Sequence, residues 1–244
     1  MRQIALLIIF FLVHVARAIS LENPDSLKAK LIATATFSLN SNGISSIPAF
    51  SLGKPAIIAD VKLSKRHFIY EPVLAYGLNM RGWFIDNWLR YKLVDKPSFE
   101  LRTGVNFSTF FSEYKLQDNE IWRTERYFAF EFTGIRKISP TSSLLFSYWN
   151  DRGQEKGSLT GHFINFIAEK NDMRLGILFL LSGYFQLFYV DYNGNNDGLF
   201  ISPKISLGVK DLPLNLYFQI IQPLKSNIKP SPGFRWNLGF SYTI

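Results

Sequence analysis

The chain has 244 residues, 27 Lys+Arg against 19 Asp+Glu, no cysteine, and 16% aromatic side chains (23 Phe, 11 Tyr, 5 Trp). Charged residues make up 19%, below the roughly 25% of ordinary soluble domains, and this aromatic content excludes a disordered chain. The missing cysteines exclude a disulfide scaffold, a thiolate metal site, a cysteine nucleophile and a cysteine-linked lipid.

Met1-Arg2-Gln3 is a short basic start, Ile4 to Val15 is almost wholly apolar, and Ala16-Arg17-Ala18 has the small residues of an A-x-A cleavage site. Residues 1–18 therefore read as a secretory signal peptide, too short in its apolar run for a spanning helix, with one domain over 19–244. Without Arg2 and Arg17, 25 basic residues face 19 acidic ones, net +6. No Lys/Arg cluster is visible, and nucleic acid is not an expected partner.

From residue 29 the chain alternates apolar and polar residues with period two, the mark of strands with one apolar and one polar face. Twelve segments follow in order: 29–40, 55–65, 68–80, 83–94, 98–112, 120–136, 141–151, 157–170, 173–192, 199–210, 214–226 and 233–244. In the last, Phe234, Trp236, Leu238, Phe240, Tyr242 and Ile244 fill the even positions, with Arg235, Asn237, Gly239, Ser241 and Thr243 between them. Most segments run to about 11–15 residues, longer than the about 5–6 of globular strands and sufficient to cross a bilayer at a tilt. Leu175 to Val190 carries no charge, but its Gly, Ser, Phe and Tyr content reads as a long strand rather than a helix.

The connections alternate too. Lys65-Arg66-His67, Asp95-Lys96-Pro97, Lys137–Pro140, Asn171-Asp172 and Asp211-Leu212-Pro213 are short. Ser41–Lys54, Glu113–Asn119, Arg152–Lys156, Asn193–Gly198 and Asn227–Pro232 are mostly longer, with Arg81-Gly82 as a tight exception. Short turns at one end and longer loops at the other are the pattern of outer-membrane barrels. The fold expected is all-β: an antiparallel transmembrane β-barrel of twelve strands, with both chain ends on the short-turn, periplasmic side. A soluble sandwich or lipocalin-like barrel shares the alternation. The apolar rows are, however, too many and too aromatic for one small interior, and a twelve-strand lumen is too wide for apolar side chains to fill. The loop Ser41–Lys54 is a candidate constriction or plug.

The signal, the alternating strands and the final aromatic strand resemble those of bacterial outer-membrane β-barrel proteins. Ile47–Ala56 and Trp88–Leu93 look like barrels from Bacteroidota. The resemblance implies a Gram-negative outer-membrane location and lipid contact. It also implies recognition of Phe234, Trp236, Leu238, Phe240, Tyr242 and Ile244 by the barrel-assembly machinery, with Ile244 where the usual terminal residue is Phe. It carries no activity.

Some barrels are lipid-modifying enzymes, and those need a nucleophile and a base, usually histidine. After the signal only His67 and His162 remain. His67 lies in a basic turn, and Ile164 occupies the place where a phospholipase-like barrel would carry serine after His162. No histidine pair or calcium-loop pattern points to a metal, so catalytic residues, metal and cofactors are all expected to be none.

If the apolar face meets lipid, charges belong inside, because Arg or Lys in mid-membrane costs about 2–4 kcal/mol. The candidate lumen charges are Glu71, Arg90, Lys92, Glu100, Arg102, Arg123, Glu125, Glu131 and Arg174, with Asp86, Lys204 and Lys210 beside them. Acid and base on neighbouring strands can pair across the sheet, giving a stiffened wall or a charged constriction. Trp83, Tyr91, Tyr148, Tyr189 and Tyr242 are candidates for the aromatic girdles. The function expected is a narrow porin-like channel for small polar solutes or a structural barrel. The alternatives are an assembly component docking an envelope partner, and a lipid-modifying enzyme.

Overall fold

The computed structural model describes residues 30–45, 47, 50–116, 119–194, 196–229 and 231–244. The expected signal peptide and its cleavage site lie outside the described residues. In chain order the strands are β1 (Ile32–Asn40), β2 (Ala56–Lys65), β3 (Phe68–Gly77), β4 (Gly82–Lys96), β5 (Phe99–Leu116), β6 (Asn119–Ser139) and β7 (Ser142–Gly153). They continue as β8 (Thr160–Leu175), β9 (Phe179–Tyr192), β10 (Asn196–Ile201), β11 (Lys204–Val209), β12 (Leu214–Ser226) and β13 (Arg235–Thr243).

Pairing is antiparallel throughout, and β13 bonds to both β12 and β1, so the sheet has no free edge. β10 and β11 lie end to end between β9 and β12. They are two pieces of one strand, so thirteen segments make a closed barrel of twelve strands. The interruption is at Ser202-Pro203, where proline has no N–H to give the ladder. The wall stays sealed: Ser202 N donates to Gln186 O at 2.8 Å and Ile220 N donates to Pro203 O at 3.1 Å.

Alternation places the expected faces. Phe37, Leu39, Phe107, Phe130, Phe132, Phe146, Phe218, Trp236, Leu238 and Phe240 are exposed on the outer wall. Asn106, Ser108, Glu131, Thr133, Ser147, Asn165, Gln186 and Asn237 are buried on the inner one. An apolar row outside and polar side chains inside invert the soluble pattern and suit a wall surrounded by lipid.

Four expectations are corrected. The β8–β9 turn lies at residues 176–178 rather than Asn171-Asp172, because Asp172 takes a left-handed φ of 54° within a register shift between Lys170 and Met173. A bulge forms there, with the Asp172 N–H given to Ser182 Oγ at 2.9 Å, and the hairpin projects further. Most of Glu113–Asn119 is strand rather than loop: β5 and β6 pair as far as Leu116 and Asn119. Arg81-Gly82 is not a tight joint, because β3 stops at Gly77 and residues 78–81 form the turn, closed by Gly77 N to Arg81 O at 2.9 Å. Trp83 is not a girdle residue. It is 3% exposed, because a register shift between Ala75 and Tyr76 lets it turn inward. Tyr91 and Tyr242 do stand exposed on the outer wall.

Candidate functional site: the lumenal charge network and the inward loop

The charged side chains of β2 to β6 meet on the inner wall, toward the end of the barrel that carries the short turns. Register sets Arg90, Gly104 and Glu131 in one row across β4, β5 and β6. A Cβ on Gly104 would stand 2.8 Å from Arg90 Cγ. Glycine therefore leaves room for Arg90 to lie flat over the intervening strand. Its Nε donates to Glu131 Oε2 at 2.8 Å and its Nη2 lies 2.7 Å from the same oxygen. Its Nη1 pairs with Glu71 on β3, and the guanidinium sits 4.2 Å from the centre of the Trp88 ring.

The network extends both ways. Lys62 lies 3.2 Å from Glu71. Arg102 lies 3.4 Å from Glu131 and 3.8 Å from Glu100, and Lys92 lies 3.2 Å from Glu100 and 3.0 Å from Asp95. Thr133 Oγ1 completes the shell of Glu131 at 2.7 Å. Glu131 is 1% exposed and Arg90 7%. Charges this enclosed are tolerable only when paired and hydrogen-bonded on all sides.

Of the nine candidate lumen charges, six are thus brought together: Glu71, Arg90, Lys92, Glu100, Arg102 and Glu131. Arg123 and Glu125 pair with each other at 2.8 Å higher on β6. Arg174 is exposed on the projecting β8–β9 hairpin, beyond the Asp172 bulge that the alternation could not register. Asp86 is held by Asn106 and Ser108. Lys204, on the opposite wall, sits 3.9 Å above the Tyr217 ring. His162 lies on the outer face, its Nδ1 2.7 Å from the Tyr148 hydroxyl. Among the described residues, no group of three or more His, Asp or Glu side chains is gathered to hold a metal ion.

The loop between β1 and β2 folds into the other end of the barrel. Ile44 and Ile47 pack on a buried cluster of Phe163, Phe188, Val190, Tyr192, Phe200, Ile221 and Ile228 from β8 to β12 and the loop that follows. Phe50 reaches the opposite arc. It stacks on Phe110 at 4.1 Å, meets Tyr127 edge-on at 5.1 Å, and its carbonyl accepts the Trp83 Nε1–H at 2.6 Å. Leu52 packs beside Trp83, Ala56 and Ala75. The described part of the loop therefore bridges both arcs and crosses the lumen. Sequence reasoning missed its anchors Phe50, Trp83 and Tyr127, because apolar inward residues break the polar-in rule. It also missed the neutral lining residues Asn165 and Gln186, although both stand at inward positions of their strands.

No protein-family profile matches the sequence, and no curated protein matches it. Among solved structures the chain is similar to the KdgM porin, with a TM-score of 0.54 and 9% identity over 86% of this chain and 98% of that one. The fold is that of an outer-membrane β-barrel. The KdgM porin in complex with disordered oligogalacturonate gives the same values. The COG4313 outer membrane channel from Pseudomonas putida F1 aligns over 91% of this chain and all of its own, with 9% identity and a TM-score of 0.47. At such identities the likeness is one of fold. The last strand lies at the closing seam of this barrel. Phe240 pairs with Leu39 and Leu216, and Ile244 exchanges backbone hydrogen bonds of 2.9 Å with Ala35.

Proposed function

We propose that this barrel is an outer-membrane channel for small polar solutes. Its loop end is closed by the β1–β2 loop in the state described, and its turn end is narrowed by the charge network. The carrying observation is the two-part interior: a connected set of ion pairs on β2 to β6, and an inward loop held across the lumen by apolar contacts and the Trp83–Phe50 hydrogen bond rather than by ladder bonds along its length. Paired charges around an aqueous path select solutes while keeping the wall rigid. Apolar contacts through a handful of side chains let the loop move without unravelling the sheet. The fold shared with the KdgM porin supports the same reading.

In this reading the short turns face the periplasm, and the aromatic row of β13 serves as the assembly signal. The test is single-channel recording of the folded chain in a planar bilayer. Stepwise openings that become more frequent in Phe50→Ala support the reading; a folded barrel that stays silent in both forms overturns it.

A further inference from the structure

Below the inward loop the lumen holds a cavity of about 280 Å³ between β4–β6 on one side and β7–β9 on the other. Trp149 and Phe163 line it, their rings 4.7 Å apart. We propose that this cavity is a binding site for one neutral, polyhydroxylated ring, a single sugar unit, that dwells there during passage. The inference rests on the channel reading and names its solute class.

Three observations carry it. The first is shape and surface. A sugar ring presents C–H faces that rest on aromatic rings and hydroxyls around its rim, and here aromatic surface adjoins planar polar groups. Those groups are themselves buried and ordered: Gln186 Nε2 donates to Asn165 Oδ1 at 2.9 Å, and Asn165 Nδ2 donates to Ser147 Oγ at 3.4 Å. The chain of donors leaves the Ser147 hydroxyl proton available to a guest oxygen. A site of fixed hydrogen-bonding groups selects for hydroxyls, because a guest that lacks them leaves those groups unpaired.

The second is an unsatisfied donor. Trp149 Nε1 is buried and makes no hydrogen bond, and the residue lines the cavity. Such groups are rare in native interiors and each calls for a partner. Oxygen acceptors on a guest are that partner.

The third is charge. Glu71 is shared by Lys62 and Arg90, Glu131 by Arg90 and Arg102, and Glu100 by Lys92 and Arg102, while Asp95 completes Lys92. The three charged residues that line the cavity, Arg90, Arg102 and Glu131, are already partnered within this network, so a guest bearing a full charge must displace an ion pair to be matched. The cavity volume suits a single ring rather than a chain of them.

The test is titration calorimetry of the folded full-length chain with D-glucose, D-galacturonate and D-glucosamine as neutral, acidic and basic probes, with heat-modifiable migration as the folding control. Saturable heat is expected for glucose above both charged probes. Trp149→Phe, which keeps a ring and loses the N–H, weakens glucose by up to about tenfold. Trp149→Leu abolishes the heat, and Trp122→Phe on the outer wall changes nothing. Stronger binding of either charged probe overturns the neutral class. No heat from any probe in a folded barrel overturns the site. Conductance reports on the channel separately: a barrel that conducts but binds none of the three loses the site alone, and one that binds glucose but never conducts keeps the site and loses the channel.

Discussion

Tyr217 donates its hydroxyl proton to Asn40 Oδ1 at 2.6 Å, across the strand that separates them. Register puts Tyr217 on β12, Gly239 on β13 and Asn40 on β1 in one row. A Cβ on Gly239 would collide with the tyrosine ring. Asn237 Nδ2 donates to the same Asn40 oxygen at 2.8 Å. Arg90 crosses Gly104 to reach Glu131 in the same manner, so a long inward side chain laid over a glycine ties together three strands at two places in the wall. One of these is the seam where the chain ends meet. Covering a strand glycine with a neighbouring ring is a recognised way of fixing register.

The seam prediction follows from that geometry. Tyr217→Phe leaves the buried Asn40 oxygen with one donor fewer and is expected to lower stability by about 1–3 kcal/mol. Gly239→Val displaces the ring and costs at least as much. Urea titration of the folded barrel, read by the change in gel mobility, measures both. Unchanged midpoints would show that the seam is held by the backbone ladder alone.

The network has a sharper signature. Glu131→Ala leaves Arg90 and Arg102 without their shared, fully enclosed carboxylate, and losing one partner of a buried pair costs about 3–5 kcal/mol. Glu131→Gln keeps the shape and the hydrogen-bonding oxygen, so it costs less but leaves the lumen one positive charge richer. The expected outcome is a shift of reversal potential toward anions in Glu131→Gln, measured in a salt gradient.

The loop prediction separates closure from folding. Trp83→Phe removes the N–H given to the Phe50 carbonyl at 2.6 Å while keeping an aromatic ring against Leu52. Phe50→Ala removes the stack on Phe110. Both are expected to raise protease access to residues 44–52 and leave the migration of the folded barrel unchanged. Full protection in both variants would mean that the loop is held by other contacts.

Outside the membrane band, Glu155 receives the Arg126 amide at 2.7 Å and its Nε at 2.6 Å. Hydrogen bonds from Arg126 hold this carboxyl below its ordinary range. A lowered folded value means the bond is present above the ordinary range and is lost as pH falls through the lowered one. Hydrogen exchange at the Arg126 amide is therefore expected to be slow near neutrality and to lose its protection only on acidification below the ordinary glutamate range. Glu155→Gln flattens that profile. Lying at the surface, the pair has little weight in overall stability.

The barrel was legible where one rule acts alone. Along β13, Phe234 to Ile244 alternate without interruption, and the structure places them as the pattern requires. So do Glu71, Arg90, Glu100, Arg102 and Glu131, because an ionised side chain has only one affordable face in a lipid-facing wall. Legibility failed where backbone conformation shifts the phase. Asp172 reads as a turn residue and forms a bulge, which sends Arg174 out on a hairpin. Pro203 splits a strand that alternation carries straight through. Trp83 reverses its face at a register shift, and nothing in its own hydrophobicity marks that. Gly104 is silent in sequence, since its role depends on which residues stand opposite it on two other strands.

The most direct measurement is single-channel conductance of the folded chain with and without the loop anchor Phe50. The channel account predicts brief, infrequent openings in the wild type and longer ones in Phe50→Ala, with a reversal potential that moves toward anions when Glu131→Gln is added. A folded barrel with no openings in any of the three forms would contradict it.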